Sequence, residues 1–303
     1  MSSAPKNHEA EMLEAFSAMP LSVLRPQTWR SGVIFASPHS GRSYPESFTR
    51  RSALPLLALR RNEDAFIDDL FACVPALGAP FLAAKFPRCI VDVNRAPDEI
   101  PKKWHKALGI AMPKSRPKNI AARAEAGLGV IPTSLGEGIH IYSHDLGATA
   151  LLPRLNALYH PYHDTLSELI TECSLEFGSV LLIDCHSMPG FAAMGARRPD
   201  IILGDCFGKS CHPETMVLIE TAFRTRGYSV TRNYPYAGGF VTRHYGKPQS
   251  GIQAIQIEIN RDLYLNPVTL KPKRGYDRLA QALKLITQDI IDAQKQAIPL
   301  AAQ

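Results

Sequence analysis

Leu181-Leu182-Ile183-Asp184-Cys185-His186-Ser187-Met188-Pro189-Gly190 runs an apolar stretch straight into Asp-Cys-His-Ser before Pro and Gly stop it. Three consecutive apolar residues suit a buried strand, and an open α/β sheet turns the carboxyl ends of such strands toward the crevice where ligands bind. A histidine there reaches a metal or a substrate from a rigid support, or hydrogen-bonds to nearby backbone. Val33-Ile34-Phe35-Ala36-Ser37-Pro38-His39-Ser40-Gly41 repeats the pattern. Two strand-end histidines, far apart along the chain, are the starting point for a shared site.

Around these two stretches, Phe81 to Ala84, Cys89 to Val93, Pro199 to Gly204 and Ala254 to Asn260 read as further strands, with Ile139 to Tyr142 as an edge strand. Asn62 to Phe71 predicts a helix, capped by Asn62 and carrying Phe66, Ile67, Leu70 and Phe71 on its apolar stripe. Asp64 and Asp68, four apart, then share one face. Arg154 to Phe177 is the clearest helix, with a bend or a fresh start at Pro161. Pro213 to Arg226 and Arg274 to Gln294 are helical as well. Short strands alternating with helices argue an α/β fold over a mixed or parallel sheet. From Asp98 to Gly138 the pattern dissolves into Lys, Pro, Ala and Gly, too long for a tight connection and fitting a lid or a pocket-forming segment. Residues 1–27 read as an N-terminal extension and 28–303 as a single domain.

Of the 303 residues 45% are apolar and 20% charged, an ordinary globular balance at the upper edge of what one core supports. The net charge of +6 is spread without a five-residue Lys/Arg block. A site for small carboxylates fits that charge as well as nucleic acid does, and basic and aromatic residues interleave on no single element, which disfavours nucleic acid. The six cysteines form no CxxC pair and suit a reduced compartment. Met1 to Met19 lacks the layout of a signal peptide, and no apolar run approaches the roughly 18 residues of a membrane helix. The expectation is a cytoplasmic protein with neither membrane nor nucleic-acid partners.

Strand ends thus offer His39, Asn94-Arg95, His186 and Glu258, and the early helix offers Asp64 and Asp68. Two histidines and a carboxylate on Zn²⁺ leave a position for water, the usual layout of a catalytic zinc site. An unligated glutamate nearby takes and returns the water's proton, and arginine is the natural clamp for a substrate carboxylate. No spacing matches HExxH. Asp64 at a helix start is equally explained by the helix dipole, Asp68 by solvent exposure, and His163 and His244 by packing. Cys185, beside His186, points to the opposite side of its strand and belongs to the core.

Ser-Pro-His-Ser-Gly at 37 to 41, Val-Asp-Val-Asn-Arg-Ala-Pro at 91 to 97, Pro-Tyr-His at 161 to 163, Asp-Cys-His-Ser-Met at 184 to 188, Asn-Tyr-Pro-Tyr-Ala-Gly-Gly-Phe-Val-Thr at 233 to 242 and Ile-Glu-Ile-Asn-Arg at 257 to 261, with the acidic helix, resemble the N-formylglutamate amidohydrolase family. The resemblance runs from about Val33 to Tyr264. It implies a three-layer fold, a mixed central sheet flanked by helices, like that of the distantly related zinc carboxypeptidases and aspartoacylases. It further implies a single Zn²⁺ held by His39 and His186, Glu258 as the base, and Asn94 and Arg95 on a substrate carboxylate. Arg42 stands where the relatives' His-x-x-Glu motif keeps its ligand glutamate, so Asp64 is expected as the third ligand, with Asp68 the alternative. Gly239 would let backbone approach the substrate, and Arg243 would hold a second carboxylate or lie exposed. The implied reaction removes the formyl group from N-formyl-L-glutamate, a late step of histidine degradation. The rival readings are another N-acyl amino acid or small peptide as substrate, or a carboxylate-binding protein without catalysis.

Overall fold

Parallel strands covered on both faces must be apolar nearly throughout, and the runs singled out in the sequence form such strands. The computed structural model describes residues 8–113, 117–136, 138–191 and 195–296. Residues 1–7 of the expected extension, and 114–116 and 137 of the unpatterned segment, lie outside the described residues. Met1–Leu21, Gly41–Glu63 and Ala84–Asp164 form one unit, and Ser22–Ser40, Asp64–Ala83 and Thr165–Gln303 a second. Neither unit is a contiguous stretch, so no linker marks them in the sequence.

Among the described residues seven strands form the sheet: β1 (Leu21–Leu24), β2 (Val33–Ser37), β3 (Phe81–Ala84), β4 (Val180–Met188), β5 (Ile201–Gly204), β6 (Val230–Arg232) and β7 (Ile252–Asn260). Their order is β1-β3-β2-β4-β7-β5-β6. β2 runs parallel to β3 and β4, and β4 parallel to β7; β5 is antiparallel to β7, which makes the sheet mixed. On one face Val33, Phe35, Leu181, Ile183, Cys185, Ile255 and Ile257 pack into a core with the Pro213–Arg224 and Gly275–Gln296 helices. On the other face the Phe240–Tyr245 helix lies against β4 and β7. Helices cover both faces, the three-layer α/β arrangement expected. Cys185 is fully buried in the core as the strand alternation requires, and burial holds its thiol well above the ordinary range.

Several local expectations are corrected. β1 lies inside the stretch read as an extension. Cys89 to Val93 is buried but is not a strand: the Asn94 amide donates to Asp92 Oδ1 at 2.9 Å and the Arg95 amide to Asp92 O at 3.1 Å. An Asx-type turn of this kind competes with strand pairing. Ile139 to Tyr142 makes only isolated bridges, Ser134 to His140 and Ser52 to Tyr142. The unpatterned segment holds two short helices, Lys102–Leu108 and Lys118–Glu125. Helix continues through Pro161 rather than starting there: Leu155–Tyr159 is a π-helical turn, and His160 N–H reaches Leu155 O, five residues back. Widening the helix just ahead of Pro161 accommodates its missing N–H and its ring.

In the first unit the Asp92–Arg95 turn is propped from two sides. His163 Nε2 lies 2.9 Å from Val93 O, and Tyr159 donates its hydroxyl to Arg95 O at 2.9 Å. His163 therefore holds the backbone that leads into Asn94 and Arg95. Arg154, fully buried, donates to Ile90 O at 3.1 Å, to the Tyr142 hydroxyl at 2.7 Å, and in a fork to Glu9 at 2.6 and 3.0 Å. Burial raises the Glu9 carboxyl, but Arg154 and then Arg51 outweigh it and hold it below the ordinary carboxylate value. Removing one partner of a buried pair strands the other's charge. Glu9→Ala is expected to cost about 3–5 kcal/mol in urea unfolding, and Glu9→Ala with Arg154→Met to recover much of that loss.

Candidate metal centre

β2 ends at Ser37, and Pro38 carries the chain on to His39 at the strand's carboxyl end. The His39 carbonyl accepts the Asp64 amide at 3.0 Å, so backbone alone ties these two segments. Asp64 is not on a helix, contrary to the sequence expectation. Phe66 adopts a left-handed φ of 64°, and the helix begins only at Ile67, as Ile67–Leu70. The turn spends the Asp64 carbonyl on the Ile67 amide at 3.2 Å and leaves its carboxylate pointing elsewhere than a helix face would.

On β4, Asp184 and His186 share the face opposite Cys185. The register of β4 with β7 sets His186 opposite Glu258 and Asp184 opposite Gln256. Four polar side chains thus sit together on a nearly closed face, each at most 7% exposed. Buried charges of this kind persist only when partnered. His186 Nδ1 lies 2.8 Å from Asp64 Oδ2, and His186 Nε2 lies 3.0 Å from Asp184 Oδ1. His39 Nδ1 is 3.5 Å from the same Asp64 Oδ2, and the two imidazole centroids are 4.9 Å apart. The other Asp64 oxygen, Oδ1, accepts from Ser187 Oγ at 3.2 Å and from Arg261 Nη2 at 3.0 Å.

Burial raises the Asp64 carboxyl, but hydrogen bonds and charge from His186 and His39 outweigh it and hold it well below the carboxylate range. Burial likewise pulls the His186 imidazolium down. The Asp184 charge, with hydrogen bonds from the imidazolium to Asp184 and Asp64, overcomes that and leaves its pKa well above the usual imidazole value.

Among the described residues His39, Asp64 and His186 form a cluster able to hold a metal ion, their ligand atoms all within 4.8 Å of one another. Tetrahedral ligands at about 2.0–2.2 Å from zinc stand roughly 3.3 Å apart, so the donor set fits in kind and in spacing. Both Nδ1 atoms face one carboxylate oxygen, and Asp184 stands behind His186 at Nε2, the layout in which an outer carboxylate fixes a ligating imidazole. Asp68, half-buried, is outside this cluster, and Arg42 is exposed.

The substrate-side expectations fall on both units. In the first, Asn94 is buried and Arg95 is partly buried, its Nε 3.6 Å from Asp92 Oδ2, which also accepts from Arg88 at 2.7 Å. In the second, Gly239 donates its amide to Gln256 Oε1 at 2.7 Å. Arg243 is exposed and folds back on Gly238 O at 3.2 Å. His244 is exposed too and stacks on Phe240, the ring centroids 4.8 Å apart.

The family model described as N-formylglutamate amidohydrolase matches residues 31–265. The chain belongs to the N-formylglutamate amidohydrolase family. It is 27% identical over 276 residues to the N-formylglutamate deformylase of Pseudomonas aeruginosa, covering 89% of this chain and 95% of that one. A crystal structure of N-formylglutamate amidohydrolase from Ralstonia eutropha JMP134 is 31% identical, with a TM-score of 0.83 over 92% of this chain and 99% of that one. A gene product of Agrobacterium tumefaciens, 17% identical with a TM-score of 0.65 over 95% of this chain and 99% of that one, shares the fold.

The sequence by itself assigns no role to Asp184, Ser187, Arg261 or Gln256. The signal for Asp184 was available: it stands two residues before His186 on a strand, hence on the same face. Arg261 was not legible, because it reaches Asp64 only through the turn after β7, where Asn260 Oδ1 accepts the Asp262 amide at 2.9 Å. Asp184→Asn is expected to weaken Zn²⁺ affinity about 10–100-fold, measured by chelator competition. Zinc binding at this cluster would displace the His186 proton, which Asp184 and Asp64 hold, so its affinity should rise as pH is raised through neutrality.

Proposed function

We propose that the chain hydrolyses N-formyl-L-glutamate to formate and L-glutamate, using a divalent ion, Zn²⁺ by the chemistry of its donors, at His39, Asp64 and His186. The observation that carries this reading is Glu258 held in register beside His186, next to a buried His-Asp-His cluster, in a member of this family. The names of the Pseudomonas and Ralstonia relatives supply the substrate.

An ion so held would polarise the formyl carbonyl and make water acidic enough to attack near neutral pH. The rest belongs to the chain. Glu258, on a strand paired over nine residues with β4, takes a proton from the attacking water as its oxygen bonds to the formyl carbon. The carbon–nitrogen bond then breaks, and Glu258 returns the proton to the departing glutamyl nitrogen. Arg261 and Ser187 hold Asp64 through Oδ1, keeping Oδ2 toward the two imidazoles. Asn94 and Arg95 are assigned a substrate carboxylate, for which a guanidinium fork is suited and an ammonium is not equivalent. The reaction would serve histidine degradation inside the cell; no helix among the described residues is long and apolar enough to cross a membrane.

Glu258→Gln should lower kcat about 10²–10⁴-fold with zinc still bound; near-parental turnover would remove Glu258 from the chemistry. Ranking N-formyl, N-acetyl and longer N-acyl glutamates and aspartates by kcat/KM should place N-formyl-L-glutamate first. On the same substrate, Arg95→Ala should raise KM about 10–100-fold, the loss of a charged hydrogen bond of about 1.5–3 kcal/mol.

A further inference from the structure

Gln256 sits two residues before Glu258 on β7, on the same face and only 4% exposed. Both ends of its amide are engaged. Nε2 donates to Glu258 Oε1 at 2.7 Å, and Oε1 accepts the Gly239 amide at 2.7 Å. These two bonds fix which way the amide points. Reversed, it would set N–H against the Gly239 N–H and oxygen against a carboxylate oxygen.

The Gly239 amide is itself held in place. Gly238 takes φ 125°, a conformation closed to ordinary side chains, and a Cβ there would lie 2.8 Å from Cys206 Sγ. A backbone donor of fixed position therefore orients Gln256, and Gln256 in turn orients the carboxylate beside the metal cluster.

We propose that Gln256 is the positioning residue for Glu258, coupling the Tyr236-Ala237-Gly238-Gly239 loop to the orientation of the catalytic carboxylate. The proposal rests on the reading of Glu258 as the base. It gives the buried glutamine two separable duties: accepting from the loop through Oε1 and donating to Glu258 through Nε2. Gln256→Glu keeps the shape and the acceptor but replaces the amide donor with a second acid. Gln256→Met keeps the length and loses both.

The test uses the full, zinc-loaded chain with N-formyl-L-glutamate, reading kcat and KM alongside hydrogen exchange of peptides covering 234–240. Gln256→Met should lower kcat about 10–100-fold, the scale of a misplaced catalytic group, with KM within about threefold of the parent. Its Gly239 amide should exchange faster. Gln256→Glu should lose kcat similarly while Gly239 stays protected. In the Glu258→Gln background, Gln256→Met should cost little more, since a residue acting through another has nothing left to act on. Full kcat in Gln256→Glu, a loss confined to KM, or additive losses with Glu258→Gln would each overturn the proposal. If Gln256→Met does not fold, Gln256→Glu decides alone. A zinc-loaded parent inert toward the whole substrate panel would instead overturn the function reading, and this proposal with it.

Discussion

A carboxylate with almost no access to water is the constraint on which the second unit's polar face depends. Asp64 is 1% exposed, and an unpaired ion there would cost several kcal/mol. The fold meets that cost asymmetrically. Ser187 and Arg261 occupy one oxygen, so the other is left to two imidazoles that arrive from β2 and β4. The same carboxylate and imidazole nitrogens form the donor set able to hold a metal ion.

Rigidity enters through the sheet. β4 and β7 pair in parallel over nine residues, and neither strand can slip by one without turning its own side chain, His186 or Glu258, into the apolar core. His186 and Glu258 are therefore set by strand alternation, while the groups that surround them come from turns. His39 and Asp64 are joined by a backbone hydrogen bond, and Arg261 by the turn that follows β7. Gln256 belongs to both systems, standing on the strand and reaching the loop.

In the first unit the same logic is applied to backbone. Cys89 to Val93 reads as a strand because it is apolar and buried, yet Asp92 folds its end into a turn, and Arg154, His163 and Tyr159 hold the carbonyls of Ile90, Val93 and Arg95. The cationic side chains there share acids: Arg88 and Arg95 approach Asp92, and Arg123 approaches Glu99. Burial lowers the Arg95 pKa, with Asp92 opposing it, and neighbouring Arg123 and Arg88 lower it further.

The sequence by itself determined the buried strands, the strand-end histidines and the face that Glu258 shares. Those follow from apolar runs and the two-residue alternation of a strand, which act locally. It also carried enough motif order for the family resemblance. Only the tertiary structure puts Asp64, and not Asp68, in the cluster with His39 and His186, because that placement rests on a left-handed Phe66 and a backbone bond to His39, neither of which leaves a periodic trace. The same holds for the partners of Asp64 and His186: Arg261 is 197 residues from Asp64 along the chain. Asp184, by contrast, was within reach of alternation. What burial demands of a charge is local chemistry, but which side chain answers is decided by where distant segments meet.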